Sequence, residues 1–291
     1  MTRVVFGSGV LNIAGRFWGY TVVRMCRMKD VVKGTTGFAA PAAKSLLACA
    51  IVLCLMCSHA HAQVGEFGRN KPTSATGNWH YVQTPHFDIY FYEGMDAIAR
   101  IATTIAEEAY SQISASFDYR LRNRVPIVLY RSQGQFSQTH ITPSLIGEGV
   151  GGFTEFLKNR VAVPFTGSYP QFRHVLHHEL VHAIVHDMLY GRDILTGVQQ
   201  SDIPLWFIEG LAEYESSPWT SESDMWMRDA VINDYLQLDG YFAYKGGQSI
   251  MYYIAEVYGP DKVAQILNRL RSFSRFGPTV QAVLGVELED F

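Results

Sequence analysis

The chain has 291 residues, 48% hydrophobic and 18% charged, enough to bury a large core in one or two domains. Its formal net charge is −3, but the first 62 residues hold seven Lys or Arg and one acid, leaving 17 bases against 26 acids beyond them. That acidic excess argues against a general nucleic-acid partner, which favours a basic face. No internal repeat is visible.

Residues 1–62 read as a leader. Lys44 precedes an uncharged, mostly apolar run over 45–57, and Ala60-His61-Ala62 matches a small-residue cleavage site before Gln63. The run is short for a bilayer span, so a cleaved signal peptide is expected, with no stable membrane span after cleavage. An uncleaved leader acting as a membrane anchor is the alternative. The signal predicts export, to the periplasm or outside the cell. The stretch before Lys44 is long for a signal-peptide start, which makes Met25 or Met28 candidate true starts. Cys57 follows Leu55-Met56, where a lipidated cysteine needs a small residue. All four cysteines (Cys26, Cys49, Cys54, Cys57) lie in this leader, so the mature fold relies on packing and metal rather than disulfides.

A polar linker over 63–79 leads into a strand and helix lobe over 80–202. Phe87, Ile89 and Phe91 alternate with Asp88, Tyr90 and Tyr92, as in a half-buried strand. Ile98, Ile101, Ala102, Ile105, Ala109 and Ile113 keep helical period, and Pro126 to Tyr130 reads as a second strand. Gly149 to Phe156 and Arg160 to Phe165 are expected to form a hairpin turning at Leu157-Lys158-Asn159. Which of its strands is the sheet edge is open, as is a purely structural role.

His178-Glu179-Leu180-Val181-His182 follows. Residues four apart on an α-helix are rotated by about 400°, so His178 and His182 share a face and can share one metal ion. Glu179 lies about 100° around from His178, where its carboxylate can deprotonate an activated water. Catalytic zinc takes three protein ligands, and the third is not a downstream histidine, because Val185 and Met188 stand where HExxHxxGxxH needs Gly and His. A carboxylate must complete the set. Glu209 and Glu213, four apart on a helix beginning near Ile203-Pro204, are the candidates. We read Glu209 as the ligand and Glu213 as the hydrogen-bond partner of a ligand histidine's outer nitrogen; on spacing alone the alternative is Glu213 as the ligand with Glu209 a surface carboxylate. His174, His177, His186 and His140 are expected to be structural or cleft-lining.

A helical lobe over 203–291 completes the chain. Ile250, Met251, Ile254 and Val257 form one predicted core stripe, Gly259-Pro260 breaks the helix, and Val263, Ile266, Leu267 and Leu270 form another. Tyr244 sits in a tyrosine-rich segment, where packing aromatics are common.

HELVH, followed after residues 183–208 by Glu209 in WFIEGLAEY, resembles the gluzincin metallopeptidases, the thermolysin-like and aminopeptidase N-like group of peptidase MA-like proteins. In that group the Glu before Gly is the third zinc ligand, which selects Glu209. Tyr244-Lys245-Gly246-Gly247 resembles the Y-x-x-G helix start of the aminopeptidase-like branch, which implies that Tyr244 stabilises the oxyanion. The hairpin before the HELVH helix resembles the edge strand that binds peptide backbone in gluzincins. Residues 68–291 are most similar to bacterial envelope proteins that carry this domain before a Tol-like β-propeller, through FDIYFYE at 87–93 and RNRVPI at 122–127. The chain ends where that resemblance implies a further helix and the propeller, which leaves open whether it is a fragment or a truncated gene product. The substrate-binding signature and N-terminal barrel of the aminopeptidases are missing, so exopeptidase action is not implied.

The expectation is an α+β fold, zincin-like, with a small mixed sheet and an edge hairpin packed on the HELVH helix, then a mainly helical lobe. It would hold one Zn2+ and act on a peptide or protein substrate as a zinc-dependent hydrolase. A noncatalytic, zinc-stabilised envelope module that binds peptides or docks a propeller is the alternative.

Overall fold

A computed structural model gives the architecture of residues 78–142, 145–191, 202–273, 275–288 and 290–291. The leader, its cleavage site and the linker through residue 77 lie outside these residues. The described residues fall in one compact unit. No helix among the described residues is long and apolar enough to cross a membrane.

The chain opens with β1 (Trp79–Gln83) and β2 (Phe87–Tyr92), then a long helix α1 (Asp96–Phe117) and β3 (Val125–Tyr130). A short helix α2 (Gln133–Ser137) precedes β4 (Phe153–Glu155) and β5 (Arg160–Pro164). The sheet runs β1-β2-β3-β5-β4. β2, β3 and β5 are parallel, with β1 and β4 antiparallel at the two edges. It is a small mixed sheet within a mixed α/β fold, as expected. The alternation of β2 has its physical counterpart: Phe87, Ile89 and Phe91 are buried while Tyr90 is exposed.

Two expectations shift here. Trp79, assigned to the linker, opens β1. The hairpin is shorter than predicted, because 149–152 forms a loop that enters β4 only at Phe153. β4 is the strand at the sheet edge, and Asn159 takes the left-handed conformation of the turn at φ 51°.

The HELVH sequence lies in α3 (Tyr169–Leu189). Ser168 caps it by accepting from Gln171 N, and Pro170 suits the first turn, where its missing N–H costs nothing. Leu176, Leu180, Val181, Ala183 and Ile184 are fully buried on several faces, the pattern of a helix enclosed by other elements. It packs on α1, β4 and β5 and, through its other side, on α4 (Leu205–Ser216). Pro204 sits at the start of α4, as the sequence suggested.

The C-terminal part is α5 (Ser221–Ile232), α6 (Gly240–Tyr253), a π-helical turn (Ile254–Tyr258), α7 (Lys262–Leu270) and α8 (Phe276–Leu284). The predicted α7 stripe is buried at Val263, Ile266, Leu267 and Leu270. The predicted 250–257 stripe is not continuous. Met251 and Ile254 are buried, Ile250 is only partly so, and Val257 is 57% exposed. The widened i to i+5 turn from Ile254 onward breaks the 3.6-residue period that placed Val257 on the core side. Gly259, at φ 121°, ends the turn before Pro260. One core joins the strand-bearing and helical parts, running from Phe87 and Ile127 through Leu176 and Phe207 to Leu284.

Candidate metal centre

Three helices supply the titratable side chains of one cleft of about 610 Å³. α3 contributes His174, His178, Glu179, His182 and His186; α4 contributes Glu209 and Glu213; α6 contributes Tyr244. The loop from Gly149 to Gly152 and strand β4 form the facing wall.

α4 and α6 reach these positions because they touch through glycine. A Cβ on Gly210 or on Gly247 would collide with backbone of the facing helix, so both positions need the absent side chain. This contact sets Glu209, beside Gly210, against Tyr244, one turn before Gly247. Tyr244 lies in the second turn of α6 rather than at its start, because the helix begins at Gly240. Gly152 plays the same part for β4. A Cβ there would fall 2.8 Å from Val175 Cγ1 and 3.1 Å from Glu179 Cγ.

At the centre, His178 Nε2 and His182 Nε2 lie 3.1 Å apart, with Glu209 Oε2 at 3.2 Å from the first and 3.3 Å from the second. All three side chains are largely buried. Ligand atoms held at about 2.0 to 2.1 Å around a tetrahedral ion are separated by roughly 3.3 Å, so this triangle has the dimensions of one face of such a site. The donor set, two imidazole nitrogens and a carboxylate oxygen, also suits zinc chemically. The residues present therefore fit a resident metal ion.

The electrostatics agree with that fit. Burial opposes the charged form of His178, but its hydrogen bonds to Glu209 and Glu213 prevail and raise its pKa to about 9. Burial likewise opposes Glu209, yet the two histidines hold it down at about 2. The carboxylates draw positive charge into the space between these three atoms.

Glu213 faces the other side of His178, with Oε1 3.1 Å from Nδ1. The same oxygen lies 3.1 Å from His174 Nε2, and Oε2 accepts from Lys245 Nζ at 2.5 Å. Despite burial, these partners hold the Glu213 carboxyl well below the usual range. His174, His178 and Glu213 also converge, at Glu213 Oε1, while Oε2 accepts from the Lys245 ammonium.

Glu179 points into the cleft from the next position on α3 and is 7% exposed. Thr154 Oγ1 of β4 lies 2.8 Å from its Oε2 and 2.9 Å from its backbone oxygen, close enough to donate to either. The Tyr244 ring stacks on His178 at 5.9 Å between centroids and is 38% exposed. Burial and the charges of Glu209 and Glu179 raise its phenol to about 12, so it remains a donor at neutral pH.

The structure thus brings together His178, Glu179, His182, Glu209, Glu213 and Tyr244. His186 lines the cleft against Phe156, with its Nδ1 buried and unpartnered. His177 is buried outside the cleft with Nε2 unpartnered, and burial lowers its pKa to about 4. His140 is exposed and outside the cleft. Sequence reasoning missed Thr154, Gly152 and Lys245. For Lys245 a signal existed: it is the one charged residue between Gly240 and Ala255.

The peptidase MA superfamily pattern matches residues 105–291, from the middle of α1 to the last residue. The chain belongs to the peptidase MA superfamily. No match among curated proteins accompanies it. Peptidase MA proteins are typically metal-dependent, and the matched region contains α3, α4 and α6, so every side chain of the His/Glu cluster falls inside it. Membership points to a peptidase-like function.

Proposed function

We propose that this chain is a zinc-dependent peptidase of the gluzincin type, exported through its leader and acting on a peptide or protein in extended form. The observation that carries the proposal is the triangle of His178 Nε2, His182 Nε2 and Glu209 Oε2, with Glu179 held by Thr154 on one side and Tyr244 over His178 on the other. His178, His182 and Glu209 would hold the zinc, which when bound activates a water and polarises the scissile carbonyl.

The chain's own residues supply the rest. Glu179 takes the proton of the attacking water and passes it to the leaving amine as the C–N bond breaks. The Tyr244 phenol donates a hydrogen bond where negative charge develops on the carbonyl oxygen. Glu213 fixes the ring of His178 from behind. β4, as the edge strand, offers its outer N–H and C=O groups to an extended substrate, a mode whose affinity depends little on side-chain sequence.

The test is zinc-loaded full-length protein incubated with an unbiased peptide mixture, with cleavage sites read by mass spectrometry. The proposal expects cuts that disappear in Glu179→Gln while zinc content is retained. Full activity of that variant would overturn the role of Glu179. Stoichiometric zinc without any cleavage would favour the noncatalytic, peptide-binding module instead.

A further inference from the structure

Glu213 is 5% exposed, and its two oxygens face different partners. Oε1 lies between His174 Nε2 and His178 Nδ1, and Oε2 accepts from Lys245 Nζ. Lys245 is mostly buried and also donates to Gln248 Oε1 at 3.3 Å. Gln248 is fully buried and donates through Nε2 to the backbone oxygens of Glu213 and Ser217. Lys245 is therefore tied to α4 at both a side chain and, through Gln248, the backbone. Among the described residues it is the only lysine or arginine paired with any of Glu179, Glu209 and Glu213.

A carboxylate held only at one oxygen rotates about its last bond. Clamping Oε2 with an ammonium fixes the plane of the group and keeps Oε1 on the His178 ring. A neutral imidazole has one N–H, so a carboxylate at Nδ1 places that hydrogen there and leaves the Nε2 lone pair facing His182 and Glu209. We propose that Lys245 is a positioning residue that acts through Glu213 to orient His178 for metal binding. Tyr244 and Lys245 then serve the same centre from adjacent positions of α6, one on the cleft side and one behind the ligands.

This inference rests on the zinc reading above, and the experiment separates the two. Zinc affinity of the full-length protein is measured by competition with a chromophoric chelator, and ligand geometry by the visible spectrum of the cobalt-substituted protein. Lys245→Met should weaken zinc binding on the order of 10-fold and shift the cobalt bands, the effect typical of losing an outer partner of a ligand histidine. Lys245→Arg should recover part of the affinity. The double variant Lys245→Met, Glu213→Gln should bind no more weakly than Glu213→Gln alone, because the lysine works through the carboxylate.

Wild-type affinity and an unchanged cobalt spectrum in Lys245→Met would overturn the inference, as would a full additional loss in the double variant. A lysine that served only folding would lower the stability of the metal-free protein and leave the cobalt spectrum alone, which also overturns it. Should Lys245→Met not accumulate folded, Lys245→Gln takes its place in the same comparison. The underlying zinc reading fails separately, if the wild type takes up no stoichiometric zinc or His178→Ala binds it equally well.

Discussion

Gly210 of α4 and Gly247 of α6 lie backbone against backbone, and a methyl group added to either would overlap main-chain atoms of the other helix. Replacing a helical glycine with alanine ordinarily gains up to about 1 kcal/mol of helix propensity. Here the obstructing atoms are backbone and cannot rotate away, so overpacking prevails. Gly247→Ala should destabilise the protein by about 3 kcal/mol and lower its zinc affinity, since Glu209 is carried by the displaced helix. Thermal unfolding with and without zinc checks both; an unchanged Tm would refute the packing argument.

Thr154 holds the carboxylate assigned as general base without touching the metal triangle. Thr154→Val keeps the volume but removes the hydrogen bond to Glu179 Oε2. A hydrogen bond to a charged group contributes about 1.5 kcal/mol or more, so kcat should fall about 10-fold while zinc content stays constant. Equal kcat in the two proteins would remove Thr154 from the positioning of Glu179.

Tyr244→Phe should lower kcat by roughly 10²-fold, the usual effect of losing an oxyanion donor. Because burial and the nearby carboxylates hold the phenol near 12, Tyr244 is not the group that sets an alkaline limb of activity below that value. The pH profile of the variant should therefore keep the shape of the wild type at reduced height. A limb that moves with the substitution would show that the phenol titrates within the working range.

His177 predicts an acid sensitivity. Burial lowers its folded pKa from 6.5 to about 4, so the folded state prefers the neutral ring. Its contribution is fully present above pH 6.5 and is lost as pH falls toward 4, where the unfolded chain binds the extra proton. His177→Gln should therefore lose less stability than the wild type between these pH values, by on the order of 3 kcal/mol at the acid end. Urea unfolding across that window is the measurement, and parallel curves would contradict it.

Much of the site was legible because its spacing is local. His178, Glu179 and His182 lie within five consecutive residues of one helix, and Glu209 and Glu213 within five of another. What joins the two helices is not local. The contact of Glu213 with His178 spans 35 positions, and that of Thr154 with Glu179 depends on an edge strand of three residues. β1 escaped notice for a different reason: all five of its residues are exposed, so it lacks the buried and exposed alternation that marks a strand. α5 buries only Ser223, Met227 and Ala230, too little apolar surface to announce a helical face. Val257 was misplaced because one widened turn is invisible to a fixed period.

β4 ends the sheet beside Glu179, and no strand among the described residues pairs with its outer side. A segment already folded into a helix, or into the interior of a sheet, has spent its own backbone groups and has none to offer such an edge. If β4 receives the substrate as proposed, discrimination at this cleft would turn on conformation before it turned on sequence: a loosened or unfolded stretch would be eligible, and the same stretch wound into a helix or paired on both sides would not.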